Sequence, residues 1–250
     1  MAIVGRTIAF TLSCLTAFSL GIADAGEKVV LRSQPLIELF TSQGCNSCPP
    51  ADALLAELAD RQDIVALSWS IDYWDYLGWR DTFAQPEHTA RQRGYNQSLG
   101  LSGVYTPQLI VDGRLQTVGS RRDEVLALIE QRLTTKAAGI RLALSKSEDA
   151  VSLTLSGRPG ALPATVWLVE FTDVAEQDIE DGELQGNSYT YRHVVRYSEK
   201  LGQWTARSQS FVLDAAAIAE RDNDGHVVIV QEDDTGPVAA AALIPLAILP

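Results

Sequence analysis

Two cysteines of this sequence, Cys45 and Cys48, have the spacing C-x-x-C. Chemistry on such a pair requires one thiol to ionise, the second thiol to resolve a mixed disulfide, and access for a partner. Cys45 lies nearer the apolar run that precedes the pair, so it is the predicted nucleophile, and Cys48 is the predicted resolving thiol. A disulfide that closes so short a loop restrains little of the unfolded chain. Structural stapling therefore explains the pair poorly, and thiol–disulfide exchange is the leading hypothesis.

An apolar run precedes the cysteines, and a helical pattern follows them. Leu36–Phe40 is predicted to be a buried strand, and Ala51–Arg61 carries leucines at helical spacing. A helix N-terminus leaves backbone N–H groups unpaired and carries partial positive charge, which stabilises a thiolate. Because proline is tolerated in the first turn of a helix, the helix is predicted to begin at Pro49, with Cys48 at its cap.

Glu38 stands alone among the apolar residues of the predicted strand. Burial would raise the pKa of this carboxyl, which would suit it to exchange protons with a thiol leaving group. Two other interpretations are open: Glu38 is a strand acid paired with an arginine, or it faces solvent from a half-exposed strand.

The third cysteine, Cys14, lies in a segment that is typical of export. Arg6 supplies a positive charge, residues 7–20 are apolar or small, and a small-x-small cleavage site ends at Ala25. These features predict a secretory signal peptide over residues 1–25 and a secreted or periplasmic protein. Such compartments are oxidising, and the mature chain would retain only the C-x-x-C pair.

The charge balance limits the partners. The chain has 20 Lys and Arg against 32 Asp and Glu, a net charge of −12, which disfavours binding to nucleic acid or to anionic membranes. The later apolar stretch Val238–Leu249 contains Pro245 and is too short to cross a bilayer. The predicted partners are protein or peptide thiols and disulfides, with no nucleic acid and no membrane insertion after signal cleavage.

The sequence pattern changes near residue 139. Before it, further apolar runs alternate with helical periodicity at Ile64–Ser70, Pro86–Leu99, Gln108–Asp112 and Arg122–Thr134. After it, short and often alternating apolar segments indicate an antiparallel sandwich; they are Ile140–Ser145, Val151–Ser156, Thr165–Phe171, Tyr191–Tyr197, Ser208–Leu213, Val227–Gln231 and Val238–Leu243. The predicted class is α/β over residues 26–138, followed by a β-rich, sandwich-like domain over residues 139–250. The acidic segment Asp173–Asn187 is predicted to be an exposed loop.

A proline that enters a later strand completes a known pattern. A C-x-x-C pair after the first core strand, followed by Thr106-Pro107 before a strand that ends in Asp-Gly, resembles the thioredoxin fold. That resemblance implies that Pro107 is cis and lies against the disulfide, and that Thr106 pairs its backbone with an extended substrate. It also implies that Glu38 corresponds to the buried acid of thioredoxin, although Glu38 is one residue further from the first cysteine than in that family.

A closer resemblance covers nearly all of the mature chain. The segments LIELFTSQGCNSCPPAD, SIDYWDYLGWRDTFA, ARQRGYNQSLGLSGVYTPQLIVDG and YTYRHVV are similar to the secreted, thioredoxin-like bacterial family of unknown function designated DUF1223. The resemblance implies a thioredoxin-like domain, a β-rich C-terminal part and export, and it implies no established substrate. Members of that family often have a histidine where this chain has Ser70, so a proton-shuttle or metal role for that histidine is not carried over.

An aromatic insertion over Ser70–Gln92 separates the cysteines from Pro107. It is predicted either to form an aromatic wall beside the disulfide or to be local core. Two alternatives to exchange are open: a binding module whose disulfide locks a loop, and a copper-handling protein in which two thiolates bind Cu(I). The single methionine, Met1, is lost with the signal peptide, which removes thioether ligands. No cofactor and no metal are predicted.

Overall fold

The computed structural model of the protein describes residues 28–135, 139–147, 150–157 and 160–249. The predicted signal peptide over residues 1–25, with Cys14, lies outside these ranges. Among the helices that are described, none combines the length and the apolar character needed to cross a membrane.

Strands predominate in the described ranges. They are β1 (Lys28–Leu31), β2 (Leu36–Thr41), β3 (Val65–Ser70), β4 (Gln108–Val111), β5 (Leu115–Val118), β6 (Arg141–Lys146), β7 (Val151–Ser156), β8 (Ala164–Asp178), β9 (Ser188–Trp204), β10 (Gln209–Leu213), β11 (Gly225–Gln231) and β12 (Val238–Leu243). The α-helices are α1 (Pro49–Ala59), α2 (Pro86–Ser98), α3 (Arg122–Leu133) and α4 (Ala215–Arg221), and short 3-10 helices lie at Asp75–Leu77 and Leu246–Ile248. The fold is therefore mixed α/β and mostly β.

The described strands form an eight-stranded sheet, in the order β12-β11-β8-β9-β3-β2-β4-β5, and a four-stranded sheet, in the order β1-β6-β7-β10. In the larger sheet β2 and β3 are parallel, as are β3 and β9, and the other neighbours are antiparallel. This sheet contains strands from both sides of residue 139. The division into domains 26–138 and 139–250 stays a prediction.

Strand β2 is buried on both faces, which explains why its apolar run is almost continuous. Ile37 and Leu39 pack with the apolar side chains of α1 and α3. Leu36 and Phe40 point the other way and pack with Tyr95 of α2. Because successive side chains of a strand alternate between the two faces, the parity of a residue in β2 decides which helix it contacts.

The smaller sheet packs on part of the larger one. In β7, Leu153 and Leu155 are buried while Thr154 between them is half-exposed, as alternation along a one-sided strand requires. These leucines share a core with Leu168 of β8 and Val228 of β11. The β-rich half therefore buries its apolar side chains between two sheets.

The acidic segment predicted to be a loop begins as strand and ends as a loop. Strand β8 continues to Asp178, which pairs with Ser188 at the start of β9, so only residues 179–187 connect the two strands. The prediction of an exposed loop for Asp173–Asn187 holds for residues 179–187 and was wrong for residues 173–178. Those six residues carry side chains that alternate in exposure along the paired strand, and their acidic character concealed the period of two. The half-exposed strand β5 and the short helix α4 also had no apolar pattern strong enough to be predicted.

Candidate functional site

The two cysteines lie in the turn between β2 and α1 and form a disulfide, with their Cα atoms 5.4 Å apart. Helix α1 begins at Pro49 with Cys48 as its N-cap, which confirms the predicted helix start. The Cys48 carbonyl accepts hydrogen bonds from the N–H groups of Ala51, at 2.8 Å, and Asp52, at 3.1 Å. Cys45 is 5% exposed and Cys48 is fully buried, so Cys45 is the cysteine that reaches the surface.

The peptide bond between Thr106 and Pro107 is cis, as the thioredoxin resemblance implied. The Thr106 hydroxyl donates a hydrogen bond to Cys45 Sγ at 3.1 Å, and the Trp74 indole N–H donates to Thr106 Oγ1 at 2.7 Å. The Ser47 hydroxyl lies 3.4 Å from the same sulfur. The structure therefore brings Cys45, Cys48, Thr106 and Pro107 together, and two hydroxyls face the sulfur of Cys45.

The aromatic insertion holds the turn before the cysteines. Asp81 Oδ2 accepts a hydrogen bond from the Gln43 backbone N–H at 2.8 Å, and Gln43 Oε1 accepts from the Trp79 indole at 2.8 Å. A Cβ atom at Gly44 would lie 3.2 Å from Trp74 Cβ and 3.3 Å from the Trp74 carbonyl oxygen. Glycine therefore lets the insertion close tightly over the turn.

The insertion is both core and surface. Tyr73 and Trp74 pack against the core on the α2 side of the large sheet. Tyr76, whose ring centroid lies 6.2 Å from that of Trp74, is 76% exposed. Both interpretations offered by the sequence therefore apply. Tyr73 and Trp74 pack as local core, and Trp74 together with the exposed Tyr76 also lies between the Cys45 environment and solvent.

Glu38 is fully buried on the face of β2 opposite α1. Its Oε1 atom accepts a hydrogen bond from Arg91 Nε at 2.7 Å, and its Oε2 atom accepts one from the Tyr95 hydroxyl. The Arg91 guanidinium also lies 5.0 Å from the ring centroid of Trp69. The arginine pairing that the sequence left open is therefore present. The structure does not bring Glu38 to the cysteines, and its proton-transfer role stays a prediction.

Two other acids are buried near the disulfide, and the sequence analysis did not select them. Asp52 lies in the first turn of α1, where burial and the nearby Asp81 raise its pKa to about 7. Burial raises the pKa of Asp81 to about 6. The only sequence signal for Asp52 was its place four residues after Cys48, and an aspartate in a first helical turn is ordinarily an exposed partner of the helix dipole.

No group of three or more His, Cys, Asp or Glu side chains in the described ranges is arranged to hold a metal ion. His88 is buried in α2, its Nδ1 atom lies 2.9 Å from the Ser70 carbonyl oxygen, and burial lowers its pKa to about 4. This histidine is therefore neutral near pH 7 and belongs to the core.

Comparisons with known proteins give a family and a related structure. The protein family of unknown function DUF1223 matches residues 36–231. An X-ray crystal structure of a protein from Agrobacterium tumefaciens is similar, with 30% sequence identity and a TM-score of 0.73. The similarity covers 85% of this chain and 95% of that one. No curated protein matches the sequence.

Proposed function

The chain belongs to DUF1223, a family of proteins of unknown function, and from the geometry around Cys45 and Cys48 we propose that it is an exported thiol–disulfide oxidoreductase with a thioredoxin-like fold. The observation that carries the proposal is the hydrogen bond of 3.1 Å from Thr106, the residue before the cis proline, to Cys45 Sγ. A donor aimed at this sulfur stabilises the thiolate more than the disulfide.

The strand order supports the thioredoxin-like assignment. The central strands run β3-β2-β4-β5, with β3 parallel to β2 and with β4 and β5 antiparallel to their neighbours. Helices α1 and α3 pack on one face of this unit and α2 packs on the other. The C-x-x-C turn follows β2, and the cis Thr106–Pro107 bond precedes β4.

In the proposed reaction, the reduced protein meets a protein or peptide disulfide. The Cys45 thiolate attacks one sulfur of that disulfide, so a Cys45–partner bond forms and the first partner thiol leaves. The Cys48 thiolate then attacks Cys45 Sγ, which forms the Cys45–Cys48 bond and releases the second partner sulfur with its electron pair and a proton. The partner is reduced by two electrons and the protein is oxidised by two. The same steps in reverse oxidise a partner dithiol.

The proposal is tested by trapping. Cys48→Ser retains the more exposed sulfur and removes the resolving one, so we expect reduced Cys48→Ser protein to form a stable mixed disulfide with a disulfide-containing peptide. Cys45→Ser is the matched control and should trap little, because Cys48 is fully buried. Non-reducing electrophoresis and mass spectrometry measure the adduct. Equal absence of adduct in both variants would reject the proposal.

One observation favours the alternative of a locked binding module. Cys45 is only 5% exposed, so a partner sulfur reaches it only by approaching past the Asn46-Ser47 turn or the aromatic side chains beside it. A redox titration separates the two functions. A cycling pair equilibrates with glutathione or dithiothreitol buffers, whereas a locked disulfide stays oxidised until the protein unfolds.

Thr106→Val should slow the attack by Cys45 about 3- to 10-fold at pH 7, because one hydrogen bond to a charged group is worth about 1.5–3 kcal/mol and the less stabilised thiolate is a somewhat better nucleophile. The valine keeps the shape of the side chain and removes the hydroxyl. The measurement is the rate of alkylation of reduced Cys45 against pH, which should move to higher pH. Thr106→Ser, which keeps a hydroxyl, is the control. An unchanged profile in Thr106→Val would contradict the role of the hydroxyl.

Export is part of the proposal and depends on residues 1–25. Sequencing the N-terminus of protein recovered from outside the cytoplasm is the direct test.

A further inference from the structure

Asp52 lies directly below the resolving cysteine. Cys48 caps α1, and Asp52 follows four residues later, with its backbone N–H bonded to the Cys48 carbonyl at 3.1 Å. Side chains four residues apart share one face of a helix. The carboxyl group of Asp52 and the sulfur of Cys48 therefore occupy the same buried side of the first helical turn.

No arginine, lysine or histidine of the described ranges forms an ion pair with the Asp52 carboxyl. Its residue is 7% exposed, and its Oδ1 atom has no hydrogen-bond partner in the described part of the chain. The Thr41 hydroxyl, at the end of β2, is buried without a hydrogen-bond partner there. It lies close enough to the Asp52 carboxyl to lower its pKa, but the effect of burial is larger. A buried carboxylate that lacks such partners is costly and favours the neutral form. The site thus holds a carboxyl group that gains or loses a proton near neutral pH.

The groups that face Asp52 come from three elements. The insertion contributes Asp81, which is 3% exposed, and β9 contributes Tyr191, which is also 3% exposed. Both carboxylates act on Tyr191, whose pKa is raised first by its burial and then by these charges. Strand β2 contributes the uncharged hydroxyl of Thr41. The described arginines and lysines form no salt bridge to Asp52.

We propose that Asp52 exchanges a proton with Cys48 during the resolution of the mixed disulfide, an inference that rests on the proposed thiol–disulfide exchange. The Asp52 carboxylate takes the proton of the Cys48 thiol, and the resulting thiolate attacks Cys45 Sγ. The Cys45–partner bond breaks, the departing partner sulfur carries away the electron pair, and the proton passes from Asp52 to that sulfur. In the reverse direction Asp52 returns the proton to Cys48 as the partner thiolate opens the disulfide.

The pKa of Asp52 fits this role. Burial raises the pKa of Asp52 to about 7, and the charge of Asp81 adds to the rise. A group that must both take and give a proton works best when its pKa lies near the working pH. Glu38, the acid selected from the sequence, is instead bound to Arg91 on the opposite face of β2.

The test separates the two halves of the reaction. Asp52→Asn should form the mixed disulfide at a rate within about twofold of the unmodified protein, because Cys45 performs that step. Its resolution at pH 7 should be about 100-fold slower, the lower range of a general acid–base contribution. The rise in resolution rate with pH, centred near pH 7 in the unmodified protein, should move to the higher pH at which the Cys48 thiol ionises unaided. Stopped-flow release of the second partner thiol measures this rate.

Two further variants make the test decisive. Asp60→Asn carries the same substitution at the exposed end of α1 and should leave both rates unchanged. Asp81→Asn removes the neighbouring charge, so the midpoint of the resolution profile should move to lower pH while the profile persists. If Asp52→Asn resolves the adduct with an unchanged pH profile, the inference is overturned, yet trapping by Cys48→Ser would still support the exchange reaction. If Cys48→Ser also traps nothing, both proposals fail.

Discussion

Arg91→Met is expected to lower the free energy of unfolding by about 3–5 kcal/mol, the usual cost of removing one partner of a buried ion pair. Glu38 and Arg91 have side chains that are 0% and 7% exposed, and their Nε–Oε1 distance is 2.7 Å. The guanidinium also donates to Gln231 Oε1 at 3.0 Å and lies 5.7 Å from the ring centroid of Trp167. Methionine fills much of the space but leaves the Glu38 carboxylate without its counter-charge.

Urea denaturation at pH 7 measures this loss, with fluorescence as the probe. The double variant Glu38→Leu and Arg91→Met removes both charges, and it should recover most of the lost stability because replacing a whole buried pair is often nearly neutral. A single variant within about 1 kcal/mol of the unmodified protein would contradict the assignment of a desolvated pair. Glu38→Gln also tests the sequence-based role: unchanged resolution of the mixed disulfide would exclude Glu38 from proton transfer.

Asp52→Asn is expected to stabilise the protein in alkaline solution by as much as about 4 kcal/mol, from the conversion of about 1.4 kcal/mol for each step of pKa. The pKa of Asp52 is raised from 3.8 to about 7 by burial, so the folded state binds its proton more tightly than the unfolded state does. The free energy of unfolding therefore falls as the pH rises and Asp52 ionises, and the whole of this loss is present above about pH 7. Below pH 3.8 the carboxyl is protonated in both states, and the cost is absent.

The measurement is the difference in unfolding free energy between Asp52→Asn and the unmodified protein across this pH range. The difference should be largest at pH 8 and should vanish at the acidic end. Asp60→Asn, on the exposed end of the same helix, should stay within about 0.5 kcal/mol of the unmodified protein. A difference that does not vary with pH would show that Asp52 does not titrate in the folded state as proposed.

These two acids illustrate opposite uses of burial. The Glu38 carboxylate is paired with the Arg91 guanidinium and accepts a hydrogen bond from the Tyr95 hydroxyl, so its charge is compensated inside the core. Asp52 pairs with no cation among the described residues and lowers stability when it is ionised. Proteins often keep such unfavourable groups at functional sites. A buried acid in an apolar run was therefore not enough to select the proposed proton-transfer group from the sequence.

The local parts of the site could be predicted from the sequence because they depend on short-range rules. The spacing of Cys45 and Cys48, the strand before them and the helix start at Pro49 follow from apolar pattern and proline geometry. The face of β2 on which Glu38 lies was harder to predict, because a shift of one residue along a strand moves a side chain to the other face. The sequence analysis left this face open, and the structure places Glu38 on the α2 side.

The long-range parts could not be predicted. Asp52 is buried where β9 packs on α1 and Asp81 of the insertion comes near, and neither contact has a signature in the sequence of the helix itself. The parallel pairing of β9 with β3 joins Val194 to Ser68, residues that are far apart in the chain. Such pairings depend on tertiary packing, and single-strand patterns contain little information about them.

The parallel pairing of β9 with β3 joins the cysteine-containing part of the large sheet to its C-terminal strands. In a shortened protein that stopped after α3, β3 would lose its neighbour β9 and become an edge strand. Its backbone N–H and C=O groups on that side would then be unpaired beside apolar side chains. An exposed edge strand of this kind can pair with the same strand of a second copy. By pairing β9 with β3, the C-terminal half covers the sheet edge along which two copies of the cysteine-containing half could otherwise associate.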